Sequence, residues 1–102
     1  MKLLPPDIAQ SIPKLYEQEH KGLDATVLVK FFDPCSNWTW YATEYDGVDT
    51  FFGLVKGFEI ELGNFSLKEL QEYKGPLGLG IERDLWFKPS TLREIGQAHS
   101  RT

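Results

Sequence analysis

The sequence is short of several things, and each shortage narrows what the chain can be. It has one cysteine, Cys35, so no internal disulfide can form and nothing calls for an oxidising compartment. It has no apolar run near the ~20 residues that a membrane-spanning helix needs. Lys2, Leu3 and Leu4 run straight into Pro5-Pro6 and lack the apolar core of a secretion signal, so a cytoplasmic location is expected. There is no excess of base. Eleven Lys and Arg against 15 Asp and Glu leave a formal charge of −4. Generic nucleic-acid binding rests on a basic patch that releases counterions, so that class of partner is disfavoured. The two histidines, His20 and His99, lack the ligand spacing of a zinc site and are expected at the surface. Neither GxxxxGK[ST] nor GxGxxG occurs, and no serine sits in a nucleophile elbow. Cys35 has no base placed near it in sequence. No cofactor or metal is expected.

What is present is a chain of 102 residues, read as a single domain over 1–102, with 41% apolar and 14% aromatic residues. That apolar share is enough for a folded core. Residues 38–47, WTWYATEYDG, organise the rest. Trp38, Trp40 and Ala42 alternate with Thr39, Tyr41 and Thr43, the period of a strand, and the tryptophan face ends in Glu44. This stretch is expected to be the central strand, with its two tryptophans bringing the most buried area. The aromatics Trp38, Trp40, Tyr41, Tyr45, Phe51 and Phe52 could stack bases, but core packing is the simpler expectation.

On either side the elements follow from local chemistry. Pro5-Pro6-Asp7 opens a short helix that Pro13 interrupts, and residues 17–24 read as a polar loop. Residues 25–33 read as a first strand and 50–56 as a third, whose Phe52 and Leu54 join Phe58 in an apolar set. Gly53 and Gly57 point to a bulge or a close backbone approach. Phe58, Ile60 and Leu62 alternate with Glu59 and Glu61, in a short fourth strand or a bent continuation of the third. Ser66 and Glu69 form a capping box for a helix expected to end at Lys74, with Gly75 as its left-handed cap. A last strand is expected over 81–88, and Ser90 or Thr91 caps a final helix reaching about Ala98, with Thr91 and Glu94 forming a second capping box. The class is α+β: a small antiparallel sheet of four to five strands with short helices packed on one face.

The order of these pieces resembles a known family. The matching pieces are Trp40-Tyr41-Ala42-Thr43-Glu44 with Asp46, Phe52-Gly53-Leu54, Glu61-Leu62-Gly63 and Ser66-Leu67-Lys68-Glu69-Leu70. They continue in Gly75-Pro76-Leu77-Gly78-Leu79, Ile81-Glu82-Arg83-Asp84 and Phe87-Lys88-Pro89. Over residues 30–89 the chain resembles a family of small proteins of unknown function encoded mainly by phages, plasmids and bacterial genomic islands. The resemblance implies an accessory protein of a mobile element in a bacterial cytoplasm, or a host cytoplasm for a phage protein. It carries no activity to transfer. Phe58-Glu59-Ile60 departs from the family's pattern, and nothing is carried over to Glu59.

Two sets of polar residues stand out. Between residues 44 and 61 lie Glu44, Asp46, Asp49, Glu59 and Glu61 with one base, Lys56. These are either a solvated face or an acidic patch for a basic protein partner. Such a partner, in a host defence or nucleic-acid-binding component, is the first functional expectation, and the protein would not be an enzyme. In the second set, Glu44, Asp46, Glu82 and Asp84 could hold Mg²⁺ or Mn²⁺ beside Arg83, as in a metal-dependent nuclease acting on single strands. The structural alternative is an ion pair from Arg83 to Glu44, Asp46 or Glu61, with Glu44 the first choice.

Overall fold

The computed structural model describes residues 2–99. The chain runs α1 (Pro6–Ser11), a 3-10 helix (Glu19–Asp24), β1 (Thr26–Val27), β2 (Val29–Phe32), β3 (Thr39–Tyr45), β4 (Thr50–Lys56) and β5 (Ile60–Ser66). It continues through α2 (Leu67–Glu72), β6 (Glu82–Arg83), β7 (Ser90–Thr91) and α3 (Leu92–His99). Five strands form an antiparallel sheet in the order β5-β4-β3-β2-β6, while β1 and β7 pair in a two-stranded ribbon. The expected α+β class holds, and the aromatic stretch supplies the middle strand.

A bulge in β3 decides which residues face where. Ala42 stands opposite Gly53 and Glu44 opposite Phe52, so Thr43 is an extra residue. Beyond it the alternation reverses. Ala42 and Tyr45 bury in one core with Val29, Phe31, Phe51 and Leu70. Tyr41 buries in a second core with Ala25, Val27, Leu54, Leu92 and Ile95. The sheet therefore has a core on each face. Helices α1 and α2 serve the first and α3 the second, so the helices divide between the faces instead of sharing one.

Phe51 is the hub of the first core. Its ring lies 4.6 Å from that of Tyr45, 5.1 Å from Phe65 and 5.4 Å from Phe31. Trp38 and Trp40, expected to be the most buried, are only partly covered, whereas Phe31 and Phe51 are fully enclosed. Tryptophan is large and needs deep walls on all sides, which a five-stranded sheet with short helices does not offer.

Several boundaries moved for local reasons. Helix α1 ends at Ser11 because Ile12, which precedes Pro13, takes extended geometry. The Ser66 hydroxyl accepts from the Glu69 amide at 3.2 Å, as the capping box predicts. The helix nevertheless stops at Glu72 instead of Lys74. Tyr73 is extended, Lys74 bridges to Gly80, and Gly78, not Gly75, takes the left-handed conformation at φ 73°. The expected last strand shrinks to two residues because the Asp84 carboxylate accepts the Trp86 amide at 2.9 Å and turns the chain outward. The final capping box is complete: the Glu94 amide donates to Thr91 Oγ1 at 3.1 Å, and the Thr91 amide donates to Glu94 Oε1 at 3.0 Å. Among the described residues no helix is long and apolar enough to cross a membrane.

Candidate functional site

Because of the bulge, Glu44 points away from the tryptophan face and meets the segment that precedes β1. Its side chain is only 4% exposed. Oε1 accepts the Tyr16 amide at 3.0 Å and Oε2 accepts the Gln18 amide at 2.8 Å. The adjacent Tyr45 amide donates to the Pro13 carbonyl at 2.8 Å. Gln18, in a stretch read as a polar loop, is itself buried. Its Nε2 donates to the carbonyls of Thr26 and Thr43, and its Oε1 accepts the Thr26 amide, each at 2.8 Å. Glu44 and Gln18 thus fasten the connector to the sheet and to β1. Tyr16 takes φ 73°, which costs a residue bearing a Cβ about 1–2 kcal/mol, and the bond from its amide to a carboxylate offsets that strain.

Beside these two side chains lies a cavity of about 400 Å³. Half-exposed Leu23 and Leu62 line it together with Phe52 and Leu92, and Gln18, Thr43, Glu44 and Asn64 are among its polar lining residues. Gly22, at φ 54° and ψ −126°, turns the connector over it in a conformation open to glycine alone. No local sequence signal marks Gln18 or Tyr16, since polar residues near a glycine read as solvent-exposed chain.

The five residues of the acidic set are not gathered into one patch. Glu44 is buried. Asp46 closes its own turn, accepting the amides of Val48 and Asp49 at 2.8 Å and of Thr50 at 3.0 Å. Asp49 holds the start of α2, accepting from the Ser66 hydroxyl at 2.6 Å and the Lys68 amide at 2.7 Å. Glu59 and Glu61 are exposed at the far end of the β4–β5 hairpin.

The Asp49 amide above all, then that of Val48, holds the Asp46 carboxyl below the usual carboxylate range. A folded pKa below the unfolded one contributes stability that is full above the unfolded value, about 3.9, and is lost as pH falls through the folded value. Urea unfolding of the parent and of Asp46→Ala is therefore expected to show a stability gap at pH 7 that shrinks progressively below about pH 4. A gap that stays constant at every pH would remove this role from Asp46.

The second set is also dispersed. Asp84 pairs with Lys30, Nζ to Oδ2 at 3.7 Å. Glu82 lies opposite Phe32. Arg83 was expected to bind Glu44, Asp46 or Glu61, and it forms no ion pair among the described residues; its Nη1 is buried without a hydrogen-bond partner. The register explains the correction. Arg83 stands opposite Phe31, and Phe31 opposite Trp40, roughly 13 Å along β3 from Glu44 at the usual strand rise. The bulge then turns Glu44 to the other face. Among the described residues no three His, Cys, Asp or Glu side chains are grouped to hold a metal ion.

Two further clusters escaped the sequence reading. His99, expected at the surface, is half-buried, and its Nε2 lies 2.7 Å from the Tyr41 hydroxyl. Burial first, then Lys56 and Lys30, holds the imidazole below its ordinary pKa. Burial, then Asp84, holds the Tyr41 phenol above its own. The hydrogen bond between the two rings ties α3 to the centre of the sheet. The other cluster is at the hairpin tip. Trp38 lies across Gly57, where any Cβ would collide with the indole, and meets the Phe58 ring edge-on at 5.6 Å. These rings, with Glu59 and Glu61, border an open notch of about 300 Å³. Phe58, expected in the apolar set of the sheet, is 96% exposed.

Comparison with curated proteins and with solved structures gave no match. A family model described as "Protein of unknown function (DUF2958)" matches residues 3–95. That match spans both cores, the Glu44 connector and the hairpin, and the chain belongs to this family.

Proposed function

We propose that this chain is a non-enzymatic binding protein, an accessory protein of a mobile genetic element, and that the β4–β5 hairpin is the surface it presents to a protein partner. The setting is a bacterial cytoplasm, or the host cytoplasm if the element is a phage. The observation that carries this reading is Phe58, 96% exposed beside Trp38 at the tip of the hairpin, with Glu59 next to it in the turn and Glu61 on the outer strand β5. Among the described residues strand β5 pairs on one side only, with β4, and its outer edge carries no strand. An exposed edge with apolar residues is a place where another chain adds on. Ile60 and Leu62 are exposed along it as well. Two copies pairing edge to edge would set acid against acid, so a different, basic partner is favoured. An arginine or lysine suits the notch, with its charge over the rings and near the two carboxylates.

The experiment is capture from bacterial lysate by the parent and by a triple variant, Phe58→Ser, Glu59→Lys and Glu61→Lys. All three side chains are exposed, so melting should stay within about 0.5 kcal/mol per site. The parent is expected to retain a basic partner that raised salt releases, and the triple variant to lose it. A partner held equally by both proteins, or one indifferent to salt, would sink the hairpin reading. Reversing Glu44, Asp46 and Asp49 would be a poor test, because each holds backbone amides in place.

A further inference from the structure

We infer that the cavity beside Glu44 is a binding site for a small amphipathic cation, an apolar body carrying one ammonium group. The size is right for a small ligand, and most of the wall is apolar, led by Leu23, Phe52, Leu62 and Leu92. The buried polar side chains of the lining are Gln18, Thr43 and Glu44, and their hydrogen-bond inventory is one-sided. Both protons of the Gln18 amide are used, on the carbonyls of Thr26 and Thr43. The Thr43 hydroxyl donates to the Phe52 carbonyl at 3.1 Å. The buried side chains of the lining therefore have no donor left to offer; Asn64, exposed on β5, is the remaining side-chain amide there.

Acceptor capacity does remain. A carboxylate has about four lone-pair sites, and Glu44 takes one amide on each oxygen. Its negative charge has no cationic partner among the described residues. Glu19 adds a second carboxylate to the lining, and no lysine, arginine or histidine borders the cavity. A buried carboxylate without a counter-charge is costly, and a ligand ammonium would supply both the charge and the donors. An anion would meet two like charges, and a neutral molecule would leave the charge uncompensated. Leu23 and Leu62 are each about half exposed, so the cavity opens to solvent and a ligand can enter without unfolding of the connector. The cavity shares no lining residue with the hairpin notch, although Leu62 also lies on the β5 edge proposed for the partner, and the assignment does not rest on that reading.

Three probes with one indole body isolate the head group: tryptamine (ammonium), tryptophol (hydroxyl) and indole-3-acetate (carboxylate). Calorimetry on the full chain at pH 7 is expected to find tryptamine bound at least about tenfold more tightly than tryptophol, with indole-3-acetate not bound. Amide resonances of Tyr16 and Gln18 should shift with tryptamine. Leu23→Arg places a cation at the mouth from an exposed position that folding tolerates, and it should abolish tryptamine binding. Failure of tryptamine to bind, equal affinities for the three probes, or unchanged tryptamine affinity in Leu23→Arg would each overturn the assignment.

Discussion

Gly53→Ala is expected to destabilise the protein by more than about 3 kcal/mol, a large share of the stability of a domain this size. A Cβ at this position would overlap the Tyr41 carbonyl oxygen and lie 2.8 Å from the Tyr41 carbonyl carbon and 3.1 Å from the Ala42 Cα. All three are backbone atoms of the central strand. That strand is paired on both sides, with β2 and with β4, so it cannot withdraw without breaking ladder bonds. Gly63 provides the control. It stands directly opposite Gly53 on β5, and a Cβ there meets nothing within 4 Å. Gly63→Ala should change stability by no more than about 0.5 kcal/mol. Urea unfolding followed by tryptophan fluorescence measures both. Similar losses in the two variants would contradict the close approach at the bulge.

The second large effect belongs to Glu44. Glu44→Ala removes the acceptor from two backbone amides, and hydrogen bonds to a charged group are worth about 1.5–3 kcal/mol each. A loss of about 3–5 kcal/mol is expected, with part of it from the Tyr16 conformation that the carboxylate holds. Glu44→Gln should fall between parent and alanine, since it keeps one acceptor oxygen but turns an NH₂ towards an amide donor. Hydrogen exchange should quicken at the amides of Tyr16 and Gln18 and along the connector, before the strands are affected. Glu61→Ala, exposed on the edge strand, should leave stability within about 0.5 kcal/mol of the parent. If both glutamates behave alike, Glu44 is not a structural node.

The cavity ties these effects to binding. Glu44 and Gln18 both fix the connector and line the cavity, so a ligand there would be coupled to the order of residues 15–24. A cation bound to folded protein alone would raise the unfolding temperature by mass action. The hairpin tip lies apart from this, with its rings and acids at the opposite end of β4.

By itself the sequence determined what depends on near neighbours. Alternation placed β3 and β4, and Ser66 with Glu69 and Thr91 with Glu94 started their helices where the side chains could cap them. Gly53 and Gly57 were legible as places of close approach, because glycine in a strand has few other uses. Tertiary structure alone decided which face each later residue of β3 serves. A single extra residue, Thr43, turned Glu44 from the tryptophan face towards the connector, and strand periodicity cannot count a bulge it does not see. The same limit hid Gln18, whose partners Thr26, Thr43 and Glu44 are distant in sequence, and separated Arg83 from every carboxylate proposed for it. It also left Phe58 in solvent, since a hairpin tip beyond the last cross-strand pair has no opposing layer to cover it. Local propensity sets where elements begin and end. Register and the packing of remote segments set which polar groups meet, and both candidate sites were made at that level.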